Sequence, residues 1–249
     1  KANFVNDNLE NFLSQNEKKF DLVYLDPARR DEHKNKKFLL EDLSPNLLEI
    51  QDALLKISNQ IIIKLSPLID ISYLISALKH IAEIQIIAVR NEVKELLVFI
   101  NSEKEEEQTA ISCINLESEE MIFTFNHLEE KSAVSEYSEP FQYLYIPNNA
   151  VLKSGGFNSI SEKYKLKKLH PNTHFYTSDD FIENFPGRIL GVEIIDSKQI
   201  KKGEKYNIIS KNYPLTPDEI KKKYKIKDGG NGYLIFTQTQ KNKIILRTL

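Results

Sequence analysis

The alternation of apolar and polar segments in the first 100 residues predicts a parallel α/β sheet. Residues 20–25 and 60–65 are short, largely apolar runs of the kind found in strands buried on both faces. Ser44 can cap a helix between them, and Pro45 suits its first turn. The apolar stripe of that helix is Leu47, Ile50, Leu54 and Ile57. The order strand, helix, strand predicts two parallel strands.

A second helix and a hairpin follow. Asp70 can cap the helix, and its apolar stripe is Ile71, Leu74, Ile75, Leu78 and Ile81. Residues 84–89 and 96–100 then predict two strands. The polar segment 90–95 between these strands is too short for a helical crossover. We therefore predict that the parallel sheet ends in an antiparallel hairpin.

Shorter elements flank this sheet. Residues 2–5 predict a strand and residues 9–13 a short helix. Residues 109–116 and 121–125 predict a strand pair at the sheet edge. Residues 132–140, rich in small and acidic side chains, predict a linker.

The C-terminal part has a different pattern, which predicts a small α+β region. Residues 148–164 predict a helical segment interrupted by Gly155 and Gly156, and a loop is predicted from His170 to Asp179. Strands are predicted at 189–195, 205–210, 233–238 and 243–247. Thr216 and Glu219 form a capping box for a helix that ends near Tyr224. Gly229, Gly230 and Gly232 are expected to end this helix and open the terminal hairpin.

Composition indicates a soluble globular protein, since 41% of its 249 residues are hydrophobic and 28% are charged. No apolar stretch approaches the roughly 20 residues of a membrane span. The start at Lys1 shows no cleavable leader and suggests a piece of a longer protein. The single cysteine, Cys113, has no disulfide partner, which fits the reducing cytoplasm.

Charge divides the chain into two dissimilar parts. Residues 1–150 hold 15 Lys+Arg and 26 Asp+Glu, a net charge of −11, whereas residues 151–249 hold 19 and 10, a net charge of +9. The basic part predicts either a polyanionic partner or an ordinary solvated lysine surface. Two lysine clusters contribute to it: Lys163, Lys165, Lys167 and Lys168, and then Lys221, Lys222, Lys223, Lys225 and Lys227.

Candidate chemistry lies where two predicted strands end. The segment Asp26-Pro27-Ala28-Arg29-Arg30 directly follows the first strand, and Lys64, Ser66 and Pro67 lie at the end of the next. The carboxyl ends of strands in an open α/β sheet form the ligand crevice. The alternatives are a polar turn at Asp26 and a lysine at Lys64 that only extends its ammonium to solvent. His80, His127, His170 and His174 form no ligand-like cluster, so no metal is predicted.

The segment Asp26-Pro27-Ala28-Arg29 resembles the catalytic-loop motif of class I methyltransferases, the Asp/Asn-Pro-Pro-aromatic or Asp-Pro-Pro-Arg element. A wider pattern, in residues 5–8, 26–30, 64–67, 91–96 and 185–188, resembles bacterial class I S-adenosylmethionine-dependent methyltransferases with a C-terminal THUMP-like domain. The resemblance implies part of a Rossmann-like domain at residues 1–137, a small ferredoxin-like segment at 138–182 and a THUMP-like domain at 183–249. It also implies a glycine-rich cofactor loop, yet the eight glycines begin only at Gly155. Residues 1–249 alone are therefore expected to bind the cofactor poorly and to be inactive.

The resemblance also implies roles for individual residues. Asp7 and the backbone amide of Asn8 would contact the adenine of S-adenosylmethionine, although Asp7 fits a helix cap equally well. Asp26 and Pro27 would be catalytic, positioning the acceptor beside the sulfonium. Ala28 and Arg29 depart from the amino-methylating pattern at its second proline and its aromatic residue. Arg29 and Arg30 could stack on a base or hold a phosphate, and Arg30 could instead pair with Asp31 or Glu32.

The function expected from these features is methyl transfer from S-adenosylmethionine to a nucleotide of RNA, such as tRNA or rRNA, with the basic C-terminal domain binding that RNA. One alternative is a non-catalytic RNA-binding adaptor on a methyltransferase scaffold. A methyltransferase for small molecules or proteins is another alternative, but such a substrate does not explain the net charge of +9 in residues 151–249.

Overall fold

A computed structural model describes residues 2–29, 39–103 and 109–249 of the chain. These residues form two compact units. The first unit comprises Lys1–Lys131 with Lys153–Gly155, and the second comprises Ser132–Leu152 with Gly156–Leu249.

The first unit is an α/β structure built on one six-stranded sheet, in the order β1-β4-β6-β5-β7-β8. Strands β1 and β4 are parallel, β6 is antiparallel to both β4 and β5, and β7 is parallel to β5. Its elements, with the short helix Leu40–Asp42 between β2 and β3, are α1 (Leu9–Gln15), β1 (Val23–Leu25), β2 (Ala28–Arg29), β3 (Leu43–Ser44), α2 (Leu47–Ile57), β4 (Gln60–Leu65), α3 (Ile71–Ala77), β5 (Ile81–Val89), β6 (Glu92–Asn101), β7 (Ala110–Leu116), β8 (Phe123–Asn126) and α4 (His127–Ser132).

Helix α2 confirms the predicted apolar stripe, because its buried residues are Leu47, Ile50, Leu54 and Ile57. Its cap was predicted wrongly. Asn46 caps the helix by accepting a hydrogen bond from the Leu48 backbone N–H at 3.1 Å, whereas Ser44 lies in β3. Helix α3 has the predicted cap at Asp70 but ends at Ala77, so Ile81 belongs to β5.

Strand β1 differs from its prediction. A strand buried on both faces was expected, but Leu22 is 50% exposed and Tyr24 56% exposed. Among the described residues β1 pairs only with β4, so one strand edge and one face lack cover. The predicted strand at residues 2–5 is also wrong. That segment pairs with no described strand, and Phe4 is 95% exposed.

The predicted hairpin is confirmed as β5 and β6. Its turn is tighter than expected, because β6 already begins at Glu92. Arg90 and Asn91 both have positive φ, 48° and 64°, as a two-residue turn between twisted strands requires.

The second unit contains one seven-stranded sheet, in the order β10-β11-β9-β12-β15-β14-β13. Strand β12 joins its two halves, because residues 187–191 pair with β9 and residues 192–195 pair with β15. The elements, with the short helix Ser197–Gln199 after β12, are β9 (Tyr143–Pro147), α5 (Asn149–Ser154), α6 (Phe157–Lys163), β10 (Lys167–His170), β11 (Thr173–Ser178), β12 (Gly187–Ile195), β13 (Lys205–Ser210), α7 (Pro217–Tyr224), β14 (Lys227–Gln238) and β15 (Lys243–Thr248).

Two predictions for the second unit are wrong. The loop expected from His170 to Asp179 is instead the second strand of a β10–β11 hairpin, since Lys168 pairs with Tyr176. Helix α7 ends at Tyr224, as predicted, but its C-cap is Lys225, which adopts the left-handed conformation at φ 56°. The glycines expected to end the helix lie inside β14. The capping box of Thr216 and Glu219 and the break at Gly155 and Gly156 are confirmed.

Candidate active site

Asp26 and Lys64 meet at the carboxyl ends of two parallel strands. Leu25 of β1 is paired with Ile63 of β4, so the next residue of each chain segment lies at the same level. The Lys64 Nζ atom lies 2.5 Å from Asp26 Oδ2, and the two side chains are 34% and 51% exposed. A charge-assisted contact of this length fixes the carboxylate at the sheet edge while leaving it open to solvent.

The ion pair determines the charge state of Lys64. Its hydrogen bond to Asp26 raises the pKa of Lys64 above the ordinary value, against the opposing effect of desolvation, and the charge of Glu95 acts in the same direction as Asp26. Lys64 is therefore a cation at neutral pH and cannot act as a general base. It can orient Asp26 or bind an anion.

The loop after Asp26 is held by a two-residue strand pair. Ala28 of β2 pairs with Ser44 of β3, and Arg29 pairs with Leu43. Pro27, between Asp26 and this pair, is half-buried. The backbone of the loop is thus fixed on both sides, by β1 before Asp26 and by β3 after Pro27.

Tyr73 of α3 anchors the segment that carries β3. Its hydroxyl donates to Glu41 Oε2 at 2.7 Å and accepts from the Leu40 backbone N–H at 3.3 Å. Burial, followed by the bond to Glu41, raises the pKa of Tyr73, and the same bond lowers the pKa of Glu41. This anchor has no signature in the sequence, because Glu41 and Tyr73 are 32 positions apart and neither belongs to a recognisable motif.

Ser66 and Pro67 form the turn that follows β4. The Ser66 hydroxyl oxygen accepts from the Leu68 N–H at 3.3 Å, and the Ser66 carbonyl accepts from the Ile69 N–H at 3.2 Å. Both Ser66 and Pro67 are half-buried. The turn therefore lies directly after β4, close to Lys64 in sequence, and keeps the Ser66 hydroxyl hydrogen available for donation.

Asp7 and Asn8 lie at the start of α1 and are exposed. Asn8 is the helix cap, since its side chain accepts from the Asn11 N–H at 2.8 Å. Asp7 Oδ1 accepts from the Asn8 N–H at 2.8 Å and from Asn11 Nδ2 at 3.2 Å. The amide that the resemblance assigns to adenine thus donates to Asp7 here, while Asp7 Oδ2 has no partner within the described part of the chain.

Some predicted residues can be located only in part. Arg29 is placed by its backbone in β2, and Arg30 lies outside the described residues. Among the residues that the structure describes, no group of three or more His, Cys, Asp or Glu side chains is arranged to hold a metal ion.

The lysine clusters of the second unit are only partly exposed. Lys168 is 3% exposed and therefore does not belong to a surface cluster. Lys167 pairs with Glu136 at 3.0 Å, and Lys221 pairs with Asp228 at 2.8 Å. Lys222, Lys223, Lys225 and Lys227 are exposed. The second of the two predicted clusters is thus the more accessible.

Comparison with known proteins relates this structure to methyltransferases. Residues 143–186 match the family model of a ferredoxin-like domain, and residues 188–248 match that of a THUMP domain-like module. Both kinds of module, ferredoxin-like and THUMP-like, are ones that the sequence resemblance predicted. No curated protein matches the sequence significantly.

A solved structure is similar to this chain over most of its length. The crystal structure of a putative methyltransferase from Porphyromonas gingivalis W83 superimposes with a TM-score of 0.80 at 33% sequence identity. The match covers 91% of this chain and 58% of the Porphyromonas gingivalis chain. In the described ranges, no helix is both long and apolar enough to cross a membrane.

Proposed function

We propose that the chain is part of an S-adenosylmethionine-dependent methyltransferase that modifies a nucleotide of RNA. The observation that carries the proposal is the Asp26–Lys64 ion pair, which holds a half-exposed carboxylate at the carboxyl ends of parallel β1 and β4. The THUMP domain-like module and the +9 charge of residues 151–249 support RNA as the substrate.

Asp26 positions the methyl acceptor in this proposal. Its Oδ2 atom contacts Lys64, which leaves Oδ1 to accept a hydrogen bond from an N–H or O–H of the target nucleotide. That bond directs the acceptor's lone pair along the line of attack, and positioning of this kind supplies much of the rate in transfer reactions. Lys64 fixes the orientation of the carboxylate, and Pro27 holds the backbone beside it.

The cofactor contact is assigned to Asp7 and Asn8. A carboxylate oxygen can accept a hydrogen bond from an adenine amino group. Asp7 is exposed, and its Oδ2 atom has no partner among the described residues, so the carboxylate fits this role. The Asn8 amide would exchange its bond with Asp7 for one to the ring. When bound, S-adenosylmethionine supplies an electrophilic methyl group.

The remaining site residues are proposed to hold the RNA. Planar guanidinium groups stack on unpaired bases and bind phosphates, which is the role given to Arg29 and Arg30. Ser66 and Pro67 border the crevice beside Lys64 and would contact the nucleotide. We place the protein in the cytoplasm, a proposal supported by the buried free thiol of Cys113.

Transfer of a labelled methyl group tests the proposal. The complete protein is incubated with S-adenosylmethionine labelled in its methyl group and with total tRNA and rRNA from its source. We expect label in the RNA, released as a modified nucleoside after nuclease digestion. Label found only in protein or in small molecules would contradict RNA as the substrate. RNA that is bound but stays unlabelled would leave the non-catalytic adaptor as the function.

A further inference from the structure

Two lysine-rich segments of the second unit lie side by side. The Gly203 N–H donates to the Lys225 carbonyl at 2.9 Å, and the Lys227 N–H donates to the Glu204 carbonyl at 2.8 Å. Lys205 and Lys227 are direct partners in the parallel pairing of β13 with β14. The exposed lysines of these segments, here called the lysine seam, are Lys201, Lys202, Lys205, Lys225 and Lys227.

The charge of the lysine seam is not balanced by neighbouring carboxylates. Glu204 is the one acidic residue within 201–205 and 225–227, and its Oε2 accepts the Lys201 backbone N–H at 3.1 Å. The adjacent Asp228 is bound to Lys221 at 2.8 Å. No seam lysine forms an ion pair with another described residue. Like charges on directly paired strand residues destabilise a sheet, so the fold itself does not account for Lys205 and Lys227.

A glycine-rich bulge holds the lysine seam in place. The β13–β14 pairing passes from Asp228 directly to Tyr233, leaving residues 229–232 without a partner on β13. A Cβ atom at Gly230, where φ is 89°, would lie 2.9 Å from the Lys205 carbonyl oxygen. Asn207 Nδ2 also donates to the Gly230 carbonyl at 2.9 Å. The backbone of the bulge therefore packs on the backbone of β13 beside the lysines. Because glycine has no side chain, the glycines of the bulge do not obstruct the lysines.

We propose that the lysine seam binds the phosphate backbone of RNA. The inference rests on the proposed function, which supplies RNA as the partner, and it assigns the contact to one surface. Five lysines, with Glu204 as the one carboxylate inside their two segments and Asp228 paired to Lys221, complement a polyanion. Phosphate contacts of this kind set the position of a nucleic acid without reading its sequence. The helix dipole explains lysines in the last turn of α7 but not those on residues 201–205.

Paired neutralisations test this assignment. Lys205→Gln with Lys227→Gln removes two charges from the seam. Lys241→Gln with Lys243→Gln removes two from exposed positions at the other end of β14. Affinity of the full chain for a fluorescein-labelled RNA hairpin is measured by anisotropy over a series of salt concentrations. We expect the seam variant to bind about tenfold more weakly at low salt. The plot of log K against log salt should also become less steep, by about 1.5 in its slope, because two phosphate contacts are lost.

The control pair should bind within about twofold of wild type, and Lys205→Arg with Lys227→Arg should retain wild-type affinity. Thermal melting establishes that all variants are folded. If both glutamine pairs then lower the RNA affinity equally, the lysine seam is not the binding surface, although the protein still binds RNA. A wild-type chain that does not bind RNA at low salt overturns the proposed function and the seam together. Seam-dependent binding to phosphatidylglycerol vesicles in place of RNA also overturns it.

Discussion

At the scale of single residues, His174 has a local environment that excludes its charged form. Its ring stacks on Phe157 with centroids 3.5 Å apart and planes 11° from parallel. Its Nδ1 atom is buried and has no hydrogen-bond partner among the residues that the structure describes. Burial, followed by the charges of Lys168 and Lys211, lowers the pKa of His174 to about 4. The histidine is therefore neutral in the folded protein at physiological pH.

This lowered pKa predicts a pH-dependent stability. The unfolded chain binds the proton near pH 6.5, whereas the folded chain binds it only near pH 4. The contribution of His174 is fully present above pH 6.5 and is lost as the pH falls toward 4. His174→Phe should remove about 1–2 kcal/mol of the stability difference between pH 7 and pH 4.5, measured by urea denaturation.

His170→Gln is the matched control for that experiment. It removes an imidazole whose Nδ1 has a partner, the Asn172 N–H at 3.0 Å, so the pH dependence of wild type should remain. If the His174→Phe protein loses stability with acid in parallel with wild type, His174 does not titrate as described.

The positions of single side chains could be predicted from sequence where those side chains lie at the end of a strand. Asp26 and Lys64 were both expected at one sheet edge, because parallel strands end together, and they lie there. Their ion pair was not predicted, since it depends on the register that sets Leu25 opposite Ile63. No local pattern fixes that register.

At the scale of elements, β12 contains two glycines with opposite requirements. Gly187 pairs with Pro147 of β9, and a Cβ atom there would lie 2.2 Å from the Ile146 carbonyl oxygen. A Cβ atom at Gly191 would meet only the Leu249 side chain, at 3.8 Å. The strand therefore has one position that only glycine fits and one that accepts a side chain.

Alanine at these two positions should give different stabilities. We expect Gly187→Ala to lower the free energy of unfolding by about 3 kcal/mol, because β9 must move away from β12. Gly191→Ala, in the same strand, should change it by less than about 1 kcal/mol. Urea denaturation followed by tyrosine fluorescence measures both. Equal changes in the free energy of unfolding would mean that β9 does not approach β12 closely at Gly187.

Elements were predictable from sequence where the signal is local. The stripe of α2, the β5–β6 hairpin and the capping box of α7 follow from spacing and from capping residues. The β2–β3 and β10–β11 pairs were missed because Ala28 and Ser44 are distant in sequence, and because His170 and Pro171 resemble an ordinary loop. The glycines of β14 were misplaced since Lys225 itself takes the left-handed conformation.

At the scale of the whole molecule, the change in net charge and the boundary between the two compact units fall at different positions in the chain. The net charges of −11 and +9 separate at residue 150, and the second unit begins at Ser132. The boundary proposed between residues 182 and 183 stays a prediction, and β9 and β12 pair across it. Sequence could not reveal this shared sheet, because strand pairing over 40 positions has no local signature.

The chain spans 58% of the Porphyromonas gingivalis protein, so its catalytic role is a property to be measured in the complete protein. The central claim is that Asp26 positions the acceptor for methyl transfer. Its most direct test is the single-turnover rate of methyl transfer to the RNA substrate. Asp26→Ala is compared with Asp21→Ala, which removes an exposed carboxylate at the opposite end of β1.

We expect Asp26→Ala to lower that rate by about 100-fold or more, with affinities for S-adenosylmethionine and RNA within about threefold of wild type, as loss of transition-state positioning requires. Asp21→Ala should keep the wild-type rate. Thermal melting establishes that both variants are folded. Wild-type turnover in a folded Asp26→Ala protein would contradict the assignment of this loop to catalysis.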